Sequence, residues 1–386
     1  MAGIVVAYLS RLGTPMLTHE KVTLEAVATA VAQIKHYEFA GWYDIAHWYS
    51  DDIYFVPDDT LMPDEAASLG IRSPNDFFGG VVSHPFVKTK AITHPLVSGS
   101  ADSPLGWSSV FADRVRDVVL PGYTVFSTSD ARAAAKLLTP QGRIRLKRTL
   151  ACGSRGQIVI AAVDELDAFL DAHPSDELVT AGLVLEPNLR DVITLSVGQI
   201  GIGDGVISYH GVQRLTNDNE GRAVYGGSDL VCVRGGWKAL AELPMTKEAR
   251  VGVEQAITYE MAMEAYPGFM ASRRNYDVGQ GVDAQGKWRS GVFESSWRSG
   301  GASTAELAAL TAFAHDPGLH VVHVCSIKEY GNGHQPPPHA TIHFRGDDPQ
   351  DGPMIRYTVT TPSIIPDCVG PSRMNRLSPR LCGAKR

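Results

Sequence analysis

Two groups of residues, far apart in the chain, carry the charge types that chemistry needs. The first is basic. Arg143-Ile144-Arg145-Leu146-Lys147 is followed by Arg148 to Cys152, by the glycine loop Gly153-Ser154-Arg155-Gly156, and then by Gln157-Ile158-Val159-Ile160. Alternate side chains of a strand face opposite ways, so Ile144 and Leu146 would pack while Arg143, Arg145 and Lys147 share the other face. Cations in such a row repel one another unless an anion sits among them. Glycines let the backbone approach a ligand closely and turn its amides toward phosphate. The pattern points to a hairpin that closes over a polyphosphate, with a solvated basic strand face as the competing reading.

The second group is acidic. Asp277 lies in Arg273-Arg274-Asn275-Tyr276-Asp277-Val278. After the turn Asp283-Ala284-Gln285-Gly286, a second strand ends in Phe293-Glu294-Ser295-Ser296-Trp297-Arg298-Ser299-Gly300-Gly301. Two carboxylates on neighbouring strands are hard oxygen ligands of the kind that holds Mg²⁺ against phosphates. A solvated strand-end pair, or partners for Arg273 and Arg298, is the alternative. Ser303 and Glu306 have capping-box spacing, which predicts a helix start there. Its N-terminus, just past two glycines, is a ready anion site.

In the order of these parts the chain resembles the ATP-grasp superfamily, over roughly residues 85 to 305. Lys90, within Phe86-Val87-Lys88-Thr89-Lys90, would match the basic residue that opens the central domain, and Lys147 the strand lysine before the glycine loop. Glu186, closing Gly182-Leu183-Val184-Leu185-Glu186, would be the hinge whose carboxylate and backbone hold adenine and ribose. Asp277 and Glu294 resemble the metal carboxylates. Arg274 resembles the arginine that stabilises the transferred phosphoryl group. Ser296 stands where the family has a metal-binding Asn, a departure that puts a second metal site in doubt. Tyr225-Gly226-Gly227-Ser228-Asp229-Leu230 and Glu294-Ser295-Ser296-Trp297-Arg298 are similar to phrases of an uncharacterised bacterial branch of this fold.

The resemblance implies an α/β (α+β) fold with an N-terminal pre-ATP-grasp domain and a two-lobed ATP-binding region. It implies ATP and Mg²⁺ as cofactors, and a ligase that phosphorylates a small carboxylate and joins it to an amine or similar nucleophile. Lys90, Lys147 and Arg274 would neutralise phosphate oxygens. Gly153, Ser154 and Gly156 would form a lid that excludes water. Arg298 is the candidate clamp for the substrate carboxylate, since a guanidinium grips a carboxylate with two parallel bonds. A kinase on the same fold and a non-catalytic nucleotide-binding module remain as alternatives. Homodimers are frequent among such proteins.

The elements that must position these residues are legible in outline. Ile4 to Leu9 reads as a first strand, and Leu24, Val27, Val31 and Ile34 recur at helical spacing. Residues 50 to 85 read as structured loop. Asp130 to Leu138 reads as a helix capped by Ser127 or Ser129, and Asp164 to Ala172 as another that packs Leu166 and Leu170. Strands are expected at Val192 to Ile200 and Gly205 to Gln213, and a helix over 247 to 266 with Val253, Ile257 and Met261 on one face. The expected domains are 1–85, 86–180, 181–320, the strands of 321–366, and a mobile tail 367–386.

Composition limits the alternatives. The 386 residues carry 42 acidic against 35 basic side chains, a net charge of −7, which argues against a general nucleic-acid binder. Five cysteines without a Cys-x-x-Cys pair fit free thiols in a reducing cytoplasm. Cys152, beside the glycine loop, has no adjacent histidine to activate it. No segment reaches the length of a membrane span. The histidines around Pro336-Pro337-Pro338 match no closed zinc pattern.

Overall fold

The apolar run at the N-terminus forms β1 (Ile4–Tyr8), in which Val5, Val6 and Ala7 are wholly buried. In this computed structural model residues 3–10, 16–49, 52–151, 156–172 and 175–362 are described, so the tail expected at 367–386 lies outside them. Helix α1 (Thr18–Lys35) buries Leu24, Val27 and Val31, and packs Ile34 at the edge. It ends at His36 in a left-handed conformation (φ 55°), which returns the chain into β2 (Glu38–Trp42). With β3 (Ile53–Pro57) these strands make a parallel sheet in the order β2-β1-β3. The stretch expected to be loop thus holds a buried strand, followed by α2 (Pro63–Ser68) and β4 (Gly80–Val81). Its Pro, Asp and Gly residues bracket these short elements rather than fill the segment.

The next unit contains α3 (Ser109–Val115), β5 (Tyr123–Val125), α4 (Thr128–Leu138), β6 (Ile144–Arg148), β7 (Gln157–Ile160), α5 (Val163–Asp171), α6 (Ser175–Ala181) and β8 (Leu183–Pro187). Ser127 caps α4, its side chain accepting from the Asp130 amide at 3.2 Å. The four strands form an antiparallel sheet, β5-β8-β6-β7, over a core that contains Ala131, Leu138, Ile144, Leu146, Leu166 and Leu185. The expected boundary at 180 moves: the strand bearing Glu186 pairs with β5 and β6, so this lobe runs to Pro187. An apolar run such as Leu183-Val184-Leu185 needs a partner on each side, and finds both here.

The rest is built on one antiparallel sheet of eight strands. It comprises β9 (Arg190–Ile202), β10 (Gly205–Asn217), β11 (Ala223–Arg234), α7 (Trp237–Glu242), α8 (Lys247–Ala262), β12 (Met270–Ala271), β13 (Arg273–Val282), β14 (Trp288–Ser296), α9 (Ser303–His315), β15 (Val321–Tyr330), β16 (Thr341–Asp348) and β17 (Gly352–Pro362), with β12 pairing outside the sheet with β4. The strand order is β14-β13-β9-β10-β11-β15-β17-β16. The strands expected as a separate C-terminal unit therefore extend the same sheet, β15 pairing with β11 from Gly227↔Ile327 to Val233↔Val321. Helix α8 buries Val253, Ala256 and Tyr259, whereas Met261, expected on that face, is 64% exposed. On another side α9 and α1 share one core with Ile200, Ile207 and Val324, which joins the N-terminal domain to the large sheet. No described helix is long and apolar enough to cross a membrane.

Candidate active site

Between the four-stranded lobe and the large sheet lies a cleft of about 960 Å³. Strand alternation on β6 sends Ile144 and Leu146 into the lobe core, and Arg145 and Lys147 into the cleft. Lys147 is almost completely buried. Its Nζ sits 2.6 Å from Glu186 Oε1 and 3.9 Å from the centre of the Phe293 ring. The other Glu186 oxygen lies 3.1 Å from His94 Nε2. Burial by itself would raise the Glu186 pKa, but Lys147 and His94 outweigh it and hold the group at about 2. Burial lowers the pKa of Lys147, against the pull of Glu186. Lys147 and His94 thus each engage one oxygen of Glu186.

The acidic pair faces this wall. Asp277 on β13 and Glu294 on β14 are direct cross-strand partners. Lys90 Nζ pairs with Glu294 at 2.9 Å and donates to the Ala151 carbonyl at 2.7 Å, immediately before the glycine loop. Lys90, Glu294 and Asp277 therefore share one electrostatic neighbourhood. Burial would raise the Glu294 pKa, yet Lys90 brings it below the ordinary value. For Asp277, burial and the Glu294 charge raise it to about 7. Asp277 Oδ1 is buried and has no hydrogen-bond partner. An orphaned carboxylate oxygen opposite a second carboxylate fits a divalent cation. Among the described residues no group of three or more His, Cys, Asp or Glu gathers, so a cation here would complete its shell with phosphate oxygens and water. Ser296, the third expected ligand, also lines the cleft, opposite Asn275.

Two further features come from a bulge. Pairing runs Asp277↔Glu294 and then Val278↔Val292, so Phe293 is an extra residue on β14. A bulge turns two successive side chains to one face, which is how Phe293 and Glu294 both line the cleft. Gly279 makes room for the ring, since a Cβ there would come 1.9 Å from Phe293 Cζ.

Arg274 is not in this cleft. On β13 the residues of Asp277's parity, Arg273 and Asn275, face inward, while Arg274 and Tyr276 point to the opposite face and both engage Glu260 on α8, Arg274 at 2.6 Å. The expected role in phosphoryl stabilisation is therefore corrected: period-2 geometry excludes it. Arg273 faces the cleft, but its guanidinium is committed to Glu306 by two bonds of 2.8 Å and to the Ser296 and Arg298 carbonyls at 3.3 and 2.5 Å. Glu306 also accepts from Tyr209 Oη at 2.5 Å, and so does not close the capping box that its spacing suggested. Helix α9 does begin at Ser303, whose Oγ accepts from the Gly300 amide at 2.9 Å.

Arg298 lines the cleft, donating to the Ser299 carbonyl at 3.0 Å, with Asp59 of the N-terminal domain 3.9 Å away. Gly156 closes the basic hairpin. It has a positive φ of 65°, its carbonyl accepts from the Arg148 amide at 3.0 Å, and a Cβ would press within 2.6 Å of Ala151. Gly153 and Ser154 lie outside the described residues. The sequence reading missed His94, Asn275 and Phe293. Only Asn275 had a local signal, its shared parity with Asp277. Its Nδ2 donates to Ser196 and Tyr209 at 2.6 and 3.1 Å.

Residues 8–358 match the family described as "Protein of unknown function (DUF3182)". No curated protein matches the chain. Among solved structures, N5-carboxyaminoimidazole synthetase from Staphylococcus aureus complexed with ADP is similar with a TM-score of 0.53 at 10% identity, covering 97% of this chain and 96% of that one. An ADP complex of N5-carboxyaminoimidazole ribonucleotide synthetase gives 0.50 at 12% identity, with 94% of each chain covered. The extent of the first match and the likeness in fold to the others lead to one conclusion: the chain belongs to the DUF3182 family and has the ATP-grasp fold.

Proposed function

We propose that this protein is an ATP-dependent ligase that activates a small carboxylate as its acylphosphate and passes the acyl group to an amine or similar nucleophile. One observation carries the reading: Asp277 and Glu294 oppose each other in register, in a cleft whose other wall presents Lys90 and Lys147. Phosphoryl transfer asks a protein mainly for position and charge neutralisation, and these are the residue types that supply them. Lys90 and Lys147 would bind phosphate oxygens. Asp277, Glu294 and the Ser296 hydroxyl would hold Mg²⁺, whose positive charge offsets that of the transferring group when bound. Arg298, on the loop that β13 and α9 brace through Arg273, would orient the substrate carboxylate. Gly156, with Gly153 and Ser154, would let the hairpin loop cover the phosphates. The ligand-free Lys90–Glu294 pair would open as Lys90 turns to phosphate.

The test is a melting curve of the full chain with Mg²⁺ and ATP, ADP, GTP or no nucleotide. A ligand that binds only the folded state stabilises it by about 2.7 kcal/mol at roughly a hundredfold excess over Kd. Adenine nucleotide should raise Tm, Mg²⁺ should enlarge the rise, and Lys147→Met should abolish it. Glu294→Ala should lose acid-dependent ADP release while keeping a cooperative melt. Unchanged turnover in that variant would remove the metal assignment. A stable phosphorylated acid, formed without need of an amine, would make the enzyme a kinase instead.

A further inference from the structure

Strand β6 sends two cations into the cleft, and they are held in different ways. Lys147 has an acidic partner in Glu186. Arg145 lies directly across the ladder from Glu186, yet among the described residues it has no ion pair. Two neutral amides hold its guanidinium instead: Nη1 donates to Gln157 Oε1 at 3.1 Å, and Nη2 to Asn188 Oδ1 at 2.6 Å. Gln157 opens β7 and Asn188 directly follows β8, so the side chain is tied to both neighbouring strands. A guanidinium has five donors and no acceptor, so both amides turn their oxygens toward it. Bonds at two separate nitrogens fix its plane. Carboxylates in these places would also cancel its charge, whereas amides hold the group and leave the charge in place.

Its place along the strand decides what that charge meets. The phosphate end of the cleft is marked by Lys90, which joins Glu294 to the Ala151 carbonyl just before the glycine loop. Strand β6 runs toward that loop, so Arg145 stands two residues, about 7 Å, farther from it than Lys147 does. It sits at the other end of the cleft, beside the close of the strand that bears Glu186. The chain that follows Asn188 lines the cleft with Leu189 and Val192, both apolar, and the Phe293 ring lies against Lys147. A flat cation over apolar side chains suits the face of an aromatic ring, to which guanidinium is drawn by the ring's quadrupole.

We propose that Arg145 grips the nucleobase of the bound nucleotide, which stacks on the guanidinium plane with Leu189 and Val192 beneath it. Gln157 and Asn188 are the positioning residues that keep the plane fixed. Affinity for the base end of the ligand then comes from a cation on β6, separately from the lysines and carboxylates that meet the phosphates. This rests on the ATP reading of the cleft and adds which residue of this chain holds the base.

The experiment titrates MgATP, adenosine and Mg-tripolyphosphate into the full-length protein, Arg145→Met and Arg145→Lys, beside urea melts without ligand. Adenosine carries the base without the phosphates, and tripolyphosphate the phosphates without the base. Arg145→Met should weaken MgATP and adenosine about five- to tenfold, as expected for a cation on a partly desolvated ring, and leave tripolyphosphate within about twofold of wild type. Arg145→Lys keeps the charge without the flat face and should fall between the two. The urea midpoint should move little in either variant, since the bonds lost are to neutral, partly exposed amides. MgATP binding unchanged in Arg145→Met overturns the proposal. So does an equal loss for tripolyphosphate, which would make Arg145 a phosphate ligand. If Arg145→Met fails to fold, Arg145→Lys decides: a loss confined to MgATP and adenosine supports the proposal, and no loss or an equal one overturns it. A wild type that binds no nucleotide overturns the ATP reading and this proposal together, whereas a wild-type response that Arg145→Met keeps overturns this proposal alone.

Discussion

Lys147 and Glu186 are both nearly free of solvent, and neither is stable in that place alone. Breaking a buried pair strands a charge at a cost of about 3–5 kcal/mol, whereas replacing both partners with apolar residues is often neutral. Lys147→Met and Glu186→Leu should each lower the urea midpoint sharply. The double variant should recover most of the loss, yet still fail to respond to nucleotide. A double variant as unstable as the worse single one would show that the two side chains do not act as a unit. The same pair sets an acid limit. Glu186 titrates at about 2 in the folded chain against an ordinary 4.5, because Lys147 and His94 overcome burial. A depressed folded value gives stability that is complete above about pH 4.5 and is lost as the pH falls toward 2. Over that window wild type should lose more stability than the double variant in urea titrations.

At the level of elements, adjacent arginines on β13 have opposite duties. Arg273 and Glu306 are at most 1% exposed and tie β13 to α9, and through the carbonyls of Ser296 and Arg298 they brace the loop that leaves β14. Arg274 and Glu260 form a partly exposed pair with α8. Arg273→Met should cost about 3–5 kcal/mol, because Glu306 is left buried without its cation. Arg274→Met should cost about 1 kcal/mol or less and leave turnover nearly intact. Urea midpoints and steady-state rates of the two variants check this directly, and a loss of turnover confined to Arg274→Met would restore it to the site. The distinction was legible in the sequence, since parity with Asp277 selects Arg273 and Asn275. The Phe293 bulge was not, because one inserted residue in a strand leaves no periodic mark until its partner's register is known.

For the whole molecule, the cleft lies between two separately packed cores: one in the β5-β8-β6-β7 lobe, the other on the large sheet beneath β13 and β14. A ligand that touches Lys147 on one side and Asp277 on the other would couple the lobes. MgATP should therefore slow amide exchange in β6, β7 and the β13–β14 pair, with little change in β1 to β3. Exchange slowed equally everywhere would indicate global stabilisation only. Slowing confined to the N-terminal sheet would place the nucleotide elsewhere.

By itself the sequence determined what depends on neighbours in the chain. The alternation in β6 sorted Lys147 from Leu146, helical spacing placed α1, an Ala-rich run behind a serine cap placed α4, and a family resemblance in the order of the lysines, Glu186 and the paired carboxylates pointed to the fold. Tertiary structure alone decided what depends on contacts between distant segments. It assigned the Glu186 strand to the small lobe, joined β15 to β17 to the large sheet, turned Glu306 from a cap into the counter-ion of Arg273, and brought His94 to Glu186. Backbone pairing and charge neutralisation are satisfied by whichever partner is nearest in space, and for these residues that partner is far away along the chain.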